Sequence, residues 1–307
     1  MHSYYMAGLS ISSEIALPGL IAQSADGGSS EISIRRDKVA SALDNERIVG
    51  PTWQMSGDQF LLRIPNVARF LVTGGSTVAF ETENDTPAED VAIFLVGTVL
   101  GILLHQRGHI ALHASAVEVN GKAVLFCGRS RAGKSTMAAA LSQRGYPLVT
   151  DNLCVVATAA ATPMALPDGG RLRLWAQAIE SLDLGTRRSA PVRTHIEKYY
   201  VEPSSAAYEA LPLGAIYILR ETRPPLTEGI DQPHATSAPL LLLRHIHLPL
   251  LVRRMNREAA HFKAAIEIAN AVGIFYLTRR FEFVDMPVVI SWLEQHWREM
   301  GLAERAT

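Results

Sequence analysis

Eight consecutive residues, Gly128, Arg129, Ser130, Arg131, Ala132, Gly133, Lys134 and Ser135, carry the pattern G-x-x-x-x-G-K-S. Glycines at those two places let a short loop curl until its backbone N–H groups converge on an anion. In such a loop Lys134 reaches the β- and γ-phosphates of a nucleotide and the Ser135 hydroxyl holds Mg²⁺, with Thr136 next in the chain. The flanking sequence suits the motif. An apolar strand, Ala123 to Cys127, runs into it. An alanine-rich helix runs out of it from Ser135 to Arg144, ends at Gly145, and adds its positive end to the anion site. ATP and Mg²⁺ are therefore the expected cofactors.

The residues before the loop sharpen this reading. Asn120-Gly121 is a strong signal for a two-residue hairpin turn. Counting outward from it, Val119 faces Lys122, Val117 faces Val124, Ser115 faces Phe126, and His113 comes level with Gly128. After the helix, Leu148-Val149-Thr150-Asp151 delivers a carboxylate at a strand end. If that strand lies beside the loop strand, His113, Lys134, Ser135 and Asp151 gather around a γ-phosphate. Asp151 then accepts the proton of an attacking hydroxyl and His113 holds or tunes it. Ser115 shares the face of His113 and reads as packing. Arg173, anchored by Leu172, Leu174 and Trp175, and Lys198 are further cations that could meet phosphate or substrate. His245 and His247 flank Ile246 as a metal pair on a strand would, without a carboxylate near them in sequence.

These residues need elements to hold them. The first eighty-odd residues read as short strands with turns: Gly8 to Ile15, Glu31 to Arg35, Phe60 to Ile64, Ala68 to Val72 and Thr77 to Phe80. A helix follows, opened by a capping box at Thr86-Pro87-Ala88-Glu89 and closed at Gly108. Its middle is apolar almost all round, so it is expected to be buried between two layers. The expected division is a β-rich N-terminal domain, 1–108, including the linking helix 86–108, and a catalytic α/β domain, 109–307. In the second, strand patterns alternate with helices, and two helices, Leu250 to Val272 and Pro287 to Met300, end the chain. The Ala/Thr-rich stretch 157–162 reads as a strand edge and loop.

Composition excludes some classes. With 29 basic and 30 acidic residues the net charge is −1, unlike the basic excess of a dedicated nucleic-acid binder. Mean hydropathy is +0.11, yet the longest apolar stretch, Ala92 to Leu104 between Asp90 and His105, falls short of the roughly 20 residues of a spanning helix. No nucleic-acid or membrane partner is expected. The start has no signal-peptide pattern, and Cys127 and Cys154 form no CxxC. A cytoplasmic protein with buried thiols is expected.

In the block Leu112 to Val117, the hairpin, Gly128 to Thr136 and Arg144 to Asn152, the chain resembles the HPr kinase/phosphorylase family, which shares its P-loop fold with the ATP-dependent phosphoenolpyruvate carboxykinases. His113, Lys134, Ser135 and Asp151 fall on that family's catalytic pattern. The resemblance implies a mixed-sheet P-loop core of the α/β (α+β) class with an antiparallel hairpin before the loop, and Asp151 as base toward a serine hydroxyl. It also implies a homo-oligomer. The chain looks closer still to HPr-kinase-like proteins of lasso-peptide gene clusters. They share an opening like Tyr5 to Leu9 with Ser13 to Pro18, a segment like Arg171 to Trp175, a later Lys198-Tyr199, and an Ile216-Tyr-Ile-Leu strand. That implies phosphorylation of the C-terminal serine of a precursor peptide. There are departures. Asn152 stands where the family usually has a second aspartate, which puts the reverse reaction in doubt. Arg131 replaces a common glycine, and Glu180 is only near the position of a metal-binding glutamate. The expected function is an ATP- and Mg²⁺-dependent kinase acting on a serine hydroxyl of a peptide or small protein. The alternatives are a non-catalytic ATP-binding sensor and an HPr-type protein kinase.

Overall fold

The computed structural model describes residues 1–24, 30–44, 48–158, 162–193 and 196–303. Three residues of the Ala/Thr-rich stretch, 159–161, lie outside them.

The N-terminal part is a nine-stranded sheet. Its strands are β1 (His2–Met6), β2 (Leu9–Ser13), β3 (Ala22–Gln23), β4 (Ile32–Arg36), β5 (Ile48–Val49), β6 (Trp53–Ser56), β7 (Gln59–Ile64), β8 (Ala68–Thr73) and β9 (Thr77–Thr82). They lie in the order β3-β1-β2-β4-β9-β8-β7-β6-β5. Alternation sets which face is buried: in β8 Ala68, Phe70 and Val72 point inward and Arg69, Leu71 and Thr73 are partly exposed.

Against this sheet lies one continuous helix built of α1 (Ala88–Phe94), a π turn (Leu95–Val99) and α2 (Leu100–Gln106). Val91, Leu95, Val99, Ile102 and Leu103 are fully buried and join the same core as Phe60, Phe70 and Phe80. The helix opens without the expected capping box. The Thr86 hydroxyl donates to the carbonyls of Glu83 and Asn66 rather than accepting an N–H of the first turn. At 19 residues and a mean hydropathy of 1.8, the helix is long and apolar enough to cross a membrane. The helix extends past the apolar stretch Ala92 to Leu104 at both ends and includes Asp90 and His105. Here 61% of its apolar window is buried within the molecule.

The remainder is mixed α/β. The strands are β10 (Ile110–Leu112), β11 (Ala114–Val119), β12 (Lys122–Cys127), β13 (Leu148–Asp151), β14 (Cys154–Ala157), β15 (Met164–Leu166), β16 (Leu172–Trp175), β17 (Arg188–Pro191), β18 (Lys198–Val201), β19 (Leu211–Glu221), β20 (Gly229–Asp231) and β21 (Gly273–Arg279). The helices are α3 (Lys134–Gln143), α4 (Ala176–Ser181), α5 (Ala238–Leu243), α6 (Pro249–Arg254), α7 (Glu258–Ala271) and α8 (Met286–Glu299). The main sheet has the order β10-β14-β15-β19-β12-β11-β13, and β21 also pairs with β19. Strands β12, β19 and β21 are mutually parallel, whereas β11 is antiparallel to both β12 and β13. Along β12, Val124 and Phe126 pack beneath α3 and α8, while Leu125 and Cys127 pack against α5 and α7. The sheet is thus covered on both faces, which is why β12 is apolar from end to end. A small three-stranded sheet, β16-β18-β17, stands beside β13.

The single helix expected over Leu250 to Val272 is two, α6 and α7. Asn256 at φ +53° turns the chain between them, and asparagine tolerates that left-handed conformation at little cost.

Candidate functional site

Between β12 and α3 the chain makes the glycine loop. Gly133 takes φ +84°, a left-handed conformation, and a Cβ there would lie 2.4 Å from Nη2 of Arg279. Both the torsion and the neighbour require glycine. Lys134, only 6% exposed, folds back so that Nζ donates to the carbonyls of Gly128 and Arg129, each at 3.0 Å. Burial lowers its pKa, and the carboxylate of Asp151 works against that shift.

The hairpin register is the one counted from Asn120-Gly121, whose φ values of +47° and +72° suit a type I′ turn. The expected neighbour of the Asp151 strand is not what forms. Strand β13 lies beside β11, not beside the loop strand β12, and Ser115 of β11 stands opposite Asp151. The reason is connectivity: after α3 the chain returns to the free edge of the hairpin, because β19 occupies the other side of β12.

Asp151 is 2% exposed and fully engaged. Its Oδ1 accepts the Ser115 hydroxyl at 2.5 Å and its Oδ2 accepts the Arg173 N–H at 2.8 Å. Its own N–H donates to Oδ2 of Asp168 at 3.1 Å. Asp168 is buried and also accepts the Gly170 N–H, at 2.8 Å. Burial raises the Asp168 pKa to about 6, against hydrogen bonds that favour its charged form.

His113 sits at a bend between β10 and β11. Its Nδ1 lies 3.1 Å from the carbonyl of Asn152, which can only accept, so Nδ1 carries the proton and Nε2 is left as an acceptor. Burial first, and Lys134 second, push its pKa down to about 4. Asn152 adopts φ +88°.

A cavity of about 570 Å³ collects most of these groups. His113, Ser130, Arg131, Gly133, Lys134, Ser135, Thr136, Asp151, Arg173 and Lys198 all line it. Gly128, Arg129 and Ala132 do not; the first two supply the carbonyls that hold Lys134, and Ala132 is buried. Arg131 and Lys198 lie over the Trp175 ring, at 5.5 and 5.8 Å from its centroid. Trp175 is opposite Lys198 in the β16–β18 pair. The Arg173 guanidinium lies 5.9 Å from the centre of the Tyr200 ring, and its Nε has no hydrogen-bond partner among the described residues.

His245 and His247 are not on a strand. They follow α5 in a turn held by the bridge between Leu112 and Ile246. Burial lowers their pKa values to about 4 and about 3. Among the described residues, no group of three or more His, Cys, Asp or Glu side chains could hold a metal. Glu180 is exposed on α4 and outside the cavity, whose acidic lining comes from Asp151, Glu197 and Glu282. Arg253 and Arg254 are exposed.

Sequence reasoning missed three contributors. Ser115 bonds to Asp151 instead of only packing. Asp168 carries no motif. Arg279 closes one side of the loop from the end of β21.

The donor set fits a magnesium nucleotide. The Ser135 hydroxyl, a hard oxygen donor, lines the cavity at the head of α3, where Mg²⁺ would share it with phosphate oxygens. The N-terminal end of α3 and the unpartnered Nε of buried Arg279 suit the phosphates.

No protein-family model matches the chain, and no curated protein does. Among solved structures, the chain is similar to the HPr(Ser) kinase/phosphatase from Coxiella burnetii, at 12% identity and a TM-score of 0.34, over 62% of this chain and 98% of that one.

Proposed function

We propose that the chain is an ATP- and Mg²⁺-dependent kinase that transfers the γ-phosphate to a serine hydroxyl of a peptide or protein. One observation carries the reading: Lys134 and Ser135 at the head of α3 and the carboxylate of Asp151 line a single cavity. In this reading the loop N–H groups and Lys134 would hold the β- and γ-phosphates, and the Ser135 hydroxyl would hold the metal. When bound, Mg²⁺ would supply neutralisation of the phosphate charge. Asp151 takes the proton of the acceptor hydroxyl as its oxygen bonds to the γ-phosphorus and the bond to the β–γ bridging oxygen breaks. His113, neutral at pH 7, presents Nε2 as an acceptor in the same cavity. Arg173 and Lys198 bind the acceptor. The C-terminal serine of a lasso precursor is the acceptor proposed, on the strength of the sequence resemblance.

Intact mass spectrometry tests this. The full chain is incubated with Mg-ATP and the precursor peptide encoded beside its gene. A gain of one phosphate on the peptide, absent with Asp151→Asn, is the expected result.

A second reading has its own support. Both Asp151 oxygens already accept hydrogen bonds, from Ser115 and from Arg173 N–H, as a structural clamp would. A nucleotide-binding module without transfer would bind Mg-ATP and phosphorylate no serine peptide.

A further inference from the structure

The strongest feature outside the motif is Arg279. It ends β21, two strands from the loop strand, with Glu221 of β19 as its neighbour in register. The parallel strands β12, β19 and β21 therefore deliver the loop and Arg279 to the same end of the sheet, the end where open α/β sheets bind ligands.

The side chain is 3% exposed, yet it borders the cavity. Its Nη1 donates to the carbonyl of Arg280 at 2.9 Å, and its Nη2 to that of Ala132 at 3.4 Å. The ring of Phe281 supports the guanidinium from 4.8 Å. Nε is buried and has no hydrogen-bond partner among the described residues. Arg279 makes no ion pair among the described residues. A guanidinium offers five N–H donors and stays charged at neutral pH; here it bonds to two carbonyls, and the Asp285 carboxylate favours its charge only from beyond ion-pair distance, so no anion is bonded to it. Such an arrangement is costly unless a ligand completes it. Gly133 makes the room: any side chain there would collide with Nη2.

We infer that Arg279 is a phosphate-binding residue, a second cation beside Lys134 that contacts a phosphate group held by the glycine loop. The inference rests on the nucleotide-binding part of the proposed function and does not depend on the acceptor or on transfer. Arg279 reaches the phosphates from the Gly133 side, over the loop backbone, and Phe281 fixes the plane of its fork. Its role extends to any ligand that presents a diphosphate or pyrophosphate to this loop.

Calorimetric titration of the full chain with Mg-ATP, Mg-ADP and magnesium pyrophosphate tests it. Arg279→Gln should weaken all three by about tenfold or more, since a charge-assisted hydrogen bond is lost. Arg279→Lys should recover part of the affinity, and Arg254→Gln, on an exposed helix, should change nothing. If Arg279→Gln does not fold, the wild-type protein still decides. Its Arg279 Nε–H resonance, assigned by its absence from Arg279→Lys, should shift on addition of magnesium pyrophosphate. A resonance that stays in place, or a folded Arg279→Gln variant with undiminished affinity, overturns the assignment of Arg279 alone. Wild-type protein that takes up none of the three ligands overturns the nucleotide reading itself, and this assignment with it.

Discussion

The hydroxyl of Ser115 donates to Oδ1 of Asp151 at 2.5 Å, between residues that face one another across β11 and β13. The bond ties the carboxylate to the hairpin that carries the glycine loop, so two segments 36 residues apart share one position. With the Arg173 N–H on Oδ2, it fixes both oxygens and orients the carboxylate that borders the cavity.

Removing that tie should cost stability and rate together. A hydrogen bond to a buried charged group contributes about 1.5–3 kcal/mol, so Ser115→Ala should lower the unfolding free energy by about that amount. Phosphoryl transfer should fall while Mg-ATP affinity holds. Asp151→Asn should keep nucleotide binding and reduce transfer by about 10²–10⁴-fold, the usual contribution of a positioned base. Transfer at the wild-type rate in Asp151→Asn would remove Asp151 from the chemistry.

Lys134 should behave differently. Its ammonium spans the carbonyls of Gly128 and Arg129, so Lys134→Ala removes both a phosphate contact and a clamp on the loop. Nucleotide affinity and transfer should be lost in parallel, seen as matched losses in calorimetric titration and in single-turnover phosphorylation. Affinity retained with transfer lost would limit Lys134 to the transition state.

How much of this was legible depended on the range of the interaction. The pairing of Ser115 with Phe126 followed from Asn120-Gly121, because a two-residue turn sets the register of the strands it joins. The neighbour of β13 did not. Sequence carries no local mark of which sheet edge a chain reaches after a helix, and the parallel pairing of β12 with β19 is an interaction across some ninety residues. The Leu250 to Val272 helix was misread because its apolar pattern continues through Asn256, whose backbone turns left-handed. The Thr86 capping box failed because the hydroxyl had nearer carbonyls to serve. Arg279 and Asp168 belong to no motif, and only tertiary packing brings them to the site.

Gly133 should tolerate no side chain. Gly133→Ala meets the Arg279 guanidinium and must hold φ +84°, a conformation that costs a non-glycine residue about 1–2 kcal/mol. The variant should melt below wild type and bind Mg-ATP poorly. Melting and affinity both equal to wild type would mean that the loop and Arg279 are not packed as described.

The last prediction concerns acid. Burial depresses His105 and His113 to about 4, His245 to about 4 and His247 to about 3, from an ordinary value near 6.5. Between pH 4 and 6 the unfolded chain protonates all four while the folded protein holds them neutral. Asp168 opposes them: with its pKa raised to about 6, the folded protein binds a proton there that the unfolded chain releases. The histidines outnumber the single carboxyl, so the unfolded state binds more protons. Stability then rises with pH through this window, and is lost as pH falls from 6.5 toward 4, by up to about 1.4 kcal/mol per pH unit for each net proton. Urea midpoints measured from pH 4 to 7 should drop steeply on the acid side. His247→Gln should flatten the slope by about one proton, since the glutamine cannot charge in either state. A wild-type midpoint that is level across this range would contradict the buried, neutral state of these histidines.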